Sequence, residues 1–130
     1  MTAGLAATGL ANGWLNVLRG TTFTGLAGLY VKLHTGDPGA AGTSNAAAGS
    51  TTRQQLTHSA ASGGSMSLSS SPTAWSNGGT SETLTHVSFW DDPSAGTFRG
   101  SAALSSSQAW ASGNSYQLTG NTWSLTPIAA

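Results

Sequence analysis

The segment ETLTHVSFWD, residues 82–91, carries the strongest strand signal in the chain. At a period of two, Val87 and Phe89 share one face, while Leu84, His86 and Trp90 share the other. Apolar residues on both faces predict a central strand covered on both sides. The strand runs into DPSAG (92–96), rich in turn formers, and then into TFRGSAAL (97–104), its hairpin partner. The neighbouring carboxylates Asp91 and Asp92 read as part of this solvated turn. Adjacent strand residues point to opposite faces, which is the wrong arrangement for an acid–base pair.

Working towards the N-terminus, LYVKLH (29–34) alternates Leu29, Val31 and Leu33 with Tyr30, Lys32 and His34. That is a half-buried strand, with the three apolar residues facing a core. TGDPG (35–39) follows as a turn: Pro38 fixes φ, Asp37 can bond the backbone beyond it, and Gly39 admits positive φ. The small-residue stretch 39–52 has no periodicity and is expected to be a flexible loop, either mobile or held by a partner. RQQLTHS (53–59), GGSMSLSSS (63–71) and TAWS (73–76) are weaker strands, and Asn77-Gly78 is a turn. Towards the C-terminus, QAWA (108–111), SYQLTG (115–120) and TWSLTPIA (122–129) complete the series. Short strands separated by Gly, Asn, Asp and Pro predict a mainly β chain, a single antiparallel β-sandwich or barrel-like domain.

Ahead of these strands, Leu10, Trp14 and Leu18 recur at helical spacing, so residues 8–19 are expected to form a short helix with Thr8 as cap and Gly20 as terminator. Gly9 and Gly13 each weaken it by roughly 1 kcal/mol relative to Ala, so the helix must depend on packing. The expected organisation is an N-terminal helical arm, 1–20, and a β domain, 21–130. The first twenty residues lack a basic start and a continuous apolar run, and are read as mature protein rather than a signal peptide.

Only eight residues are charged, four basic and four acidic, and the formal net charge is zero. Such a chain offers no basic track for nucleic acid and no patch for an anionic membrane, so neither is an expected partner. Weak self-repulsion favours work inside an assembly. Five Trp, two Tyr and three Phe argue against disorder. There is no cysteine, which removes disulfides and Cys-based zinc sites.

Catalytic patterns are weak. His34, His58 and His86 could hold zinc but show no HxH or HExxH spacing, and no GxSxG elbow accompanies the many serines. No phosphate loop is present in 39–52. The expectation is therefore no enzyme, no cofactor and no metal. Trp75, Trp90 and Trp110 could line a sugar-binding platform, although a core or interface is the commoner role. Trp14, on the marginal helix, is the aromatic most expected at an intersubunit contact. The candidate interface residues are Trp14, Leu18 and Arg19 in the arm, and Tyr30, Lys32, Arg53, Trp75 and Trp110 in the β domain.

Taken together, NGWLNVLRG (12–20), LYVKLHTGDPGAAGT (29–43), Arg53, TLTHVSFWDDPSAGTFRGSAAL (83–104) and GNSYQLTGNTWSLTP (113–127) resemble small virion proteins of tailed bacteriophages. LHTGDPG and THVSFWD are the specific pieces, and the Ala, Gly, Ser and Thr content is similar to that of phages of high-GC hosts, the actinobacterial-phage type. Members are described as head-decoration, minor capsid or tail-fibre-like proteins. The resemblance implies a virion structural role and brings no catalytic residues. The short chain, without heptads or long repeats, favours a homo-oligomeric decoration protein that binds the major capsid protein and stabilises the shell. The alternative is a tail-associated fibre or tail-tip module, either structural or one that binds host-surface glycans.

Overall fold

The computed structural model describes residues 3–125. A π-helical turn, Ala7–Ala11, leads into helix α1 (Asn12–Val17). Among the described residues eight strands follow: β1 (Leu29–His34), β2 (Gln54–His58), β3 (Ser65–Ser70), β4 (Trp75–Ser76), β5 (Glu82–Trp90), β6 (Phe98–Trp110), β7 (Ser115–Tyr116) and β8 (Thr122–Ser124). Six of them form one antiparallel sheet in the order β6-β5-β1-β2-β3-β8, while β4 and β7 pair as a separate ribbon. The sheet curls on itself. Phe89 of β5 and Trp123 of β8 are far apart in strand order, yet their rings meet edge to face at 4.9 Å.

The inside of the curl is the core. Val31 and Leu33 of β1, Leu56 of β2, Leu84, Val87 and Phe89 of β5, and Leu118 are buried there. The β4–β7 ribbon lays Trp75 over it, stacked on Tyr116 with centroids 6.1 Å apart. The two most deeply buried indoles have partners for their ring nitrogens: Trp75 Nε1 donates to Thr52 O at 2.8 Å and Trp110 Nε1 to Asn114 O at 3.0 Å. Asn77, the expected turn residue, is itself buried. Its Nδ2 donates to Trp110 O at 2.8 Å and Thr80 O at 3.1 Å, and its Oδ1 accepts from Gly79 N at 2.9 Å.

β5 is central, between β1 and β6, as its two apolar faces predict. Strict alternation fails within it. Leu84 pairs with Gln108 but His86 pairs with Ala103, so Leu104–Ser107 bulge out of β6. The bulge returns Leu84 to the same core as Val87 and Phe89 instead of the His86 face. It also makes one 13-residue strand of two expected pieces, TFRGSAAL and QAWA. Residues 126–129 of the expected last strand lie outside the described residues.

The 39–52 segment, expected to be flexible, is stitched to the sheet. Ala47 N donates to Leu33 O at 3.0 Å, and Thr35 N to Asn45 O at 2.8 Å. Glu82 accepts from the amides of Ala48 and Gly49 at 3.1 and 2.8 Å. Asp37 Oδ1 accepts from Gly39 N at 2.8 Å, the turn bond expected of TGDPG. Small side chains let this stretch lie flat: a Cβ on Gly42 would stand 2.2 Å from the Phe98 ring.

The arm also departs from its expected form. Gly4–Ala6 run as a short extended piece on the free edge of β6, with Ala6 N donating to Arg99 O at 3.0 Å and Ser101 N to Gly4 O at 2.8 Å. The helical stretch therefore starts at Ala7, ahead of Thr8, and no side chain caps it. Its end is as expected: Gly20 sits at φ +84°, with Thr21 N donating to Asn16 O and Gly20 N to Val17 O, both at 3.0 Å. That is the Schellman arrangement.

Candidate contact surface

The surface feature that stands out is apolar and lies on the arm. A helix with a Leu10–Trp14–Leu18 stripe would normally turn that stripe inward. Here only Leu10 is buried, and Leu18 is 86% exposed. The glycines face the body instead. A Cβ on Gly9 would fall 2.0 Å from the Phe98 carbonyl oxygen, and one on Gly13 would fall 2.3 Å from the Phe23 ring. Their absence of side chain is what lets the helical stretch approach β6 and the 21–28 segment. Leu15 and Val17 are also exposed, at 64% and 51%. Beside them lies a groove of about 320 Å³ walled chiefly by Leu5, Trp14, Met66, Trp123 and Leu125. Leu5 and Leu125 are themselves exposed. The arm residues proposed from sequence, Trp14, Leu18 and Arg19, thus sit together, with Arg19 exposed at the margin. Leu5, Leu15, Val17 and Leu125 were missed, because periodicity identifies an apolar stripe without saying which side of the helix the body occupies.

Tyr30, Lys32 and Arg53 form a second group on the outer face of the sheet, where Tyr30 is opposite Trp90 and Lys32 opposite Ser88. Arg53 lies over the Trp90 ring, 3.9 Å from its centroid, and donates to Asp92 O at 2.9 Å and Ala95 O at 2.5 Å. Its guanidinium is thereby committed to holding the 91–96 turn against β5. Lys32 is half-buried beside it. Burial, and then the Arg53 charge, lower the Lys32 pKa below its ordinary value. The same turn is held from the other side by Arg99, which pairs with Asp91 at 2.5 Å and also donates to Gly9 O. Burial pushes the Asp91 carboxyl up, but the Thr97 amide and Arg99 outweigh it and leave the group below its usual value.

Trp75 and Trp110 correct the expectation that they form a contact surface. They are 1% and 2% exposed, and their rings are fixed in the core. Trp90 is also buried, between Arg53 and Phe98. None of the three offers a face for stacking on a sugar. Nor do the histidines converge on a metal. His34 Nδ1 lies 2.7 Å from Ser44 O and its Nε2 2.7 Å from Ser88 Oγ, while His58 Nε2 lies 2.8 Å from Asn121 Oδ1. A cleft of about 390 Å³ lies between the β6 bulge and residues 116–121. Of its polar side chains, Gln117 is engaged with Pro72 O and Asn121 with His58.

Comparison with known proteins gives one family. Residues 6–126 match the family model described as Gp80, Podophage GP4 fiber I protein gp80. No curated protein matches the chain. The match spans the arm, the curled sheet and the ribbon, and it identifies a phage virion structural family.

Proposed function

This chain belongs to the podophage GP4 fiber I protein gp80 family, and from that premise we propose that it is a fibre component on the tail of a podophage virion. The observation that carries the proposal is the family match, which covers nearly the whole chain, from residue 6 to residue 126. It reverses the order of the two placements considered from sequence. Shortness and the lack of heptads favoured head decoration, but a fibre can be assembled from compact modules as well as from a long shaft. The role is mechanical, without a reaction of its own. The buried tryptophans support this by filling the core, which removes the aromatic platform a glycan-binding reading had assigned to them.

Copy number in purified virions tests the placement. Quantitative mass spectrometry against the major capsid protein and the portal is expected to give a stoichiometry close to that of tail components. A stoichiometry on the scale of the capsomers would overturn the tail reading in favour of shell decoration.

A further inference from the structure

We propose that the outward face of α1, together with the groove beside it, is the surface on which this chain meets a second copy of itself. The inference goes beyond the placement on the tail, because oligomeric state and virion position are read by separate experiments.

The first argument is the orientation of the arm. It is held to the body on its glycine side, at Gly9 and Gly13, while Leu15, Val17 and Leu18 point to solvent. Two glycines in so short a helical stretch cost roughly 1 kcal/mol each relative to Ala. The close approach they permit fixes the helix with its apolar ridge outward, an arrangement that makes physical sense when another surface covers the ridge.

The second argument is extent. Trp14, Leu15 and Leu18 are neighbours at helical spacing, and Trp14 joins them to Leu5 and Leu125 across the groove. The exposed fractions of Leu5, Leu15, Val17, Leu18 and Leu125 amount to about three complete leucine-sized side chains. That is on the order of 400–500 Å², the range in which contiguous apolar surface marks a contact. The groove walls, two of which are Leu5 and Leu125 already counted, extend it only modestly, so the contact is smaller than the roughly 800 Å² per partner of a standard interface and suits a weak contact multiplied over many copies.

The third argument is charge. In a two-fold contact each patch meets its own copy, so any charge within it faces a like charge. This patch carries none except Arg19 at its edge, and the chain as a whole is neutral. A charged partner would gain nothing here, whereas an identical uncharged surface is complementary. In the proposed contact the apolar ridge of one copy, Leu15 and Leu18, seats in the apolar groove of the other.

Sedimentation equilibrium of the full chain over a dilution series tests the proposal, with Leu15→Glu/Leu18→Glu as the variant. Both side chains are solvent-facing in the protomer, so the variant is expected to keep the β circular dichroism and melting temperature of the parent. The parent is expected to self-associate, and the variant to raise the dissociation constant by more than about 30-fold. A parent that stays monomeric to its solubility limit overturns the proposal and assigns the face to a different virion protein. Unchanged association in the folded variant overturns it too. Should the double variant not fold, Leu18→Cys supplies a second reading, since the chain has no native thiol. Oxidation is expected to cross-link Leu18→Cys and to leave Ser112→Cys, in an exposed turn, as monomer. Equal cross-linking of the two contradicts the assignment.

Discussion

His34 is the residue whose environment most exceeds what its position in a strand implies. A carbonyl can only accept, so the 2.7 Å contact with Ser44 O places the proton on Nδ1. The neutral ring then leaves Nε2 to accept from the Ser88 hydroxyl, and Ser88 Oγ accepts in turn from Trp90 Nε1 at 2.8 Å. The relay joins three side chains of the sheet to the 39–52 segment, and all three are buried. Burial, the largest influence, lowers the His34 pKa, and Lys32 and His86 nearby act in the same direction. The unfolded chain therefore takes up the proton first, near pH 6.5. Stability is expected to be level above that pH and to fall below it, by at most about 1.4 kcal/mol per pH unit for this one proton. Urea titrations at pH 7.5 and pH 5 should show the loss in the parent and a smaller one in His34→Gln. An identical pH dependence in both would remove His34 as its source. Gly9 gives a second prediction at this scale. Ala has the better helix propensity, yet its Cβ would press on the Phe98 backbone at 2.0 Å. Gly9→Ala is expected to lower stability by about 1–3 kcal/mol, whereas Gly4→Ala, with nothing within 4 Å, should be near neutral in thermal melts.

At the scale of elements, the strands with clean alternation were legible and the irregular ones were not. β1 presents Val31 and Leu33 to the core as its pattern requires, and the TGDPG and DPSAG turns are built from the side chains expected to build them. The β5–β6 hairpin was visible, but its bulge was not, because Leu104–Ser107 contains no Gly, Pro, Asn or Asp to mark it. The shift of Leu84 into the Val87 core follows from that bulge and has no local signal. The 39–52 segment was misread for the opposite reason. Its lack of periodicity was real, but its order comes from backbone amides meeting Glu82 and Leu33 and from Asn45 Nδ2 donating to Asp37 O, contacts that periodicity does not reveal. Trp75 and Trp110 carry no sequence signal that separates a surface aromatic from a core one, and the fold buries both. Removing one tests that account: Trp110→Ala is expected to cost about 3–5 kcal/mol, a large part of a domain's net stability, measured by chemical denaturation. A loss below about 1 kcal/mol would fit a surface residue.

The whole molecule is a nearly uncharged curled sheet whose least satisfied surface is its N-terminal arm. Composition pointed to an assembled protein, and Trp14, Leu18 and Arg19 marked the arm as a contact element. The rest of that patch depends on which side of the helix the glycines occupy, which only the packed fold reveals. Placement within a virion has no signature in any single residue. It rests on the match of residues 6–126 to a podophage fibre family. A density map of the virion containing this chain tests that claim most directly. The account predicts density for the curled six-stranded sheet on the tail, with arms in contact between neighbouring copies. The same fold found across the capsomer lattice, and absent from the tail, would contradict it.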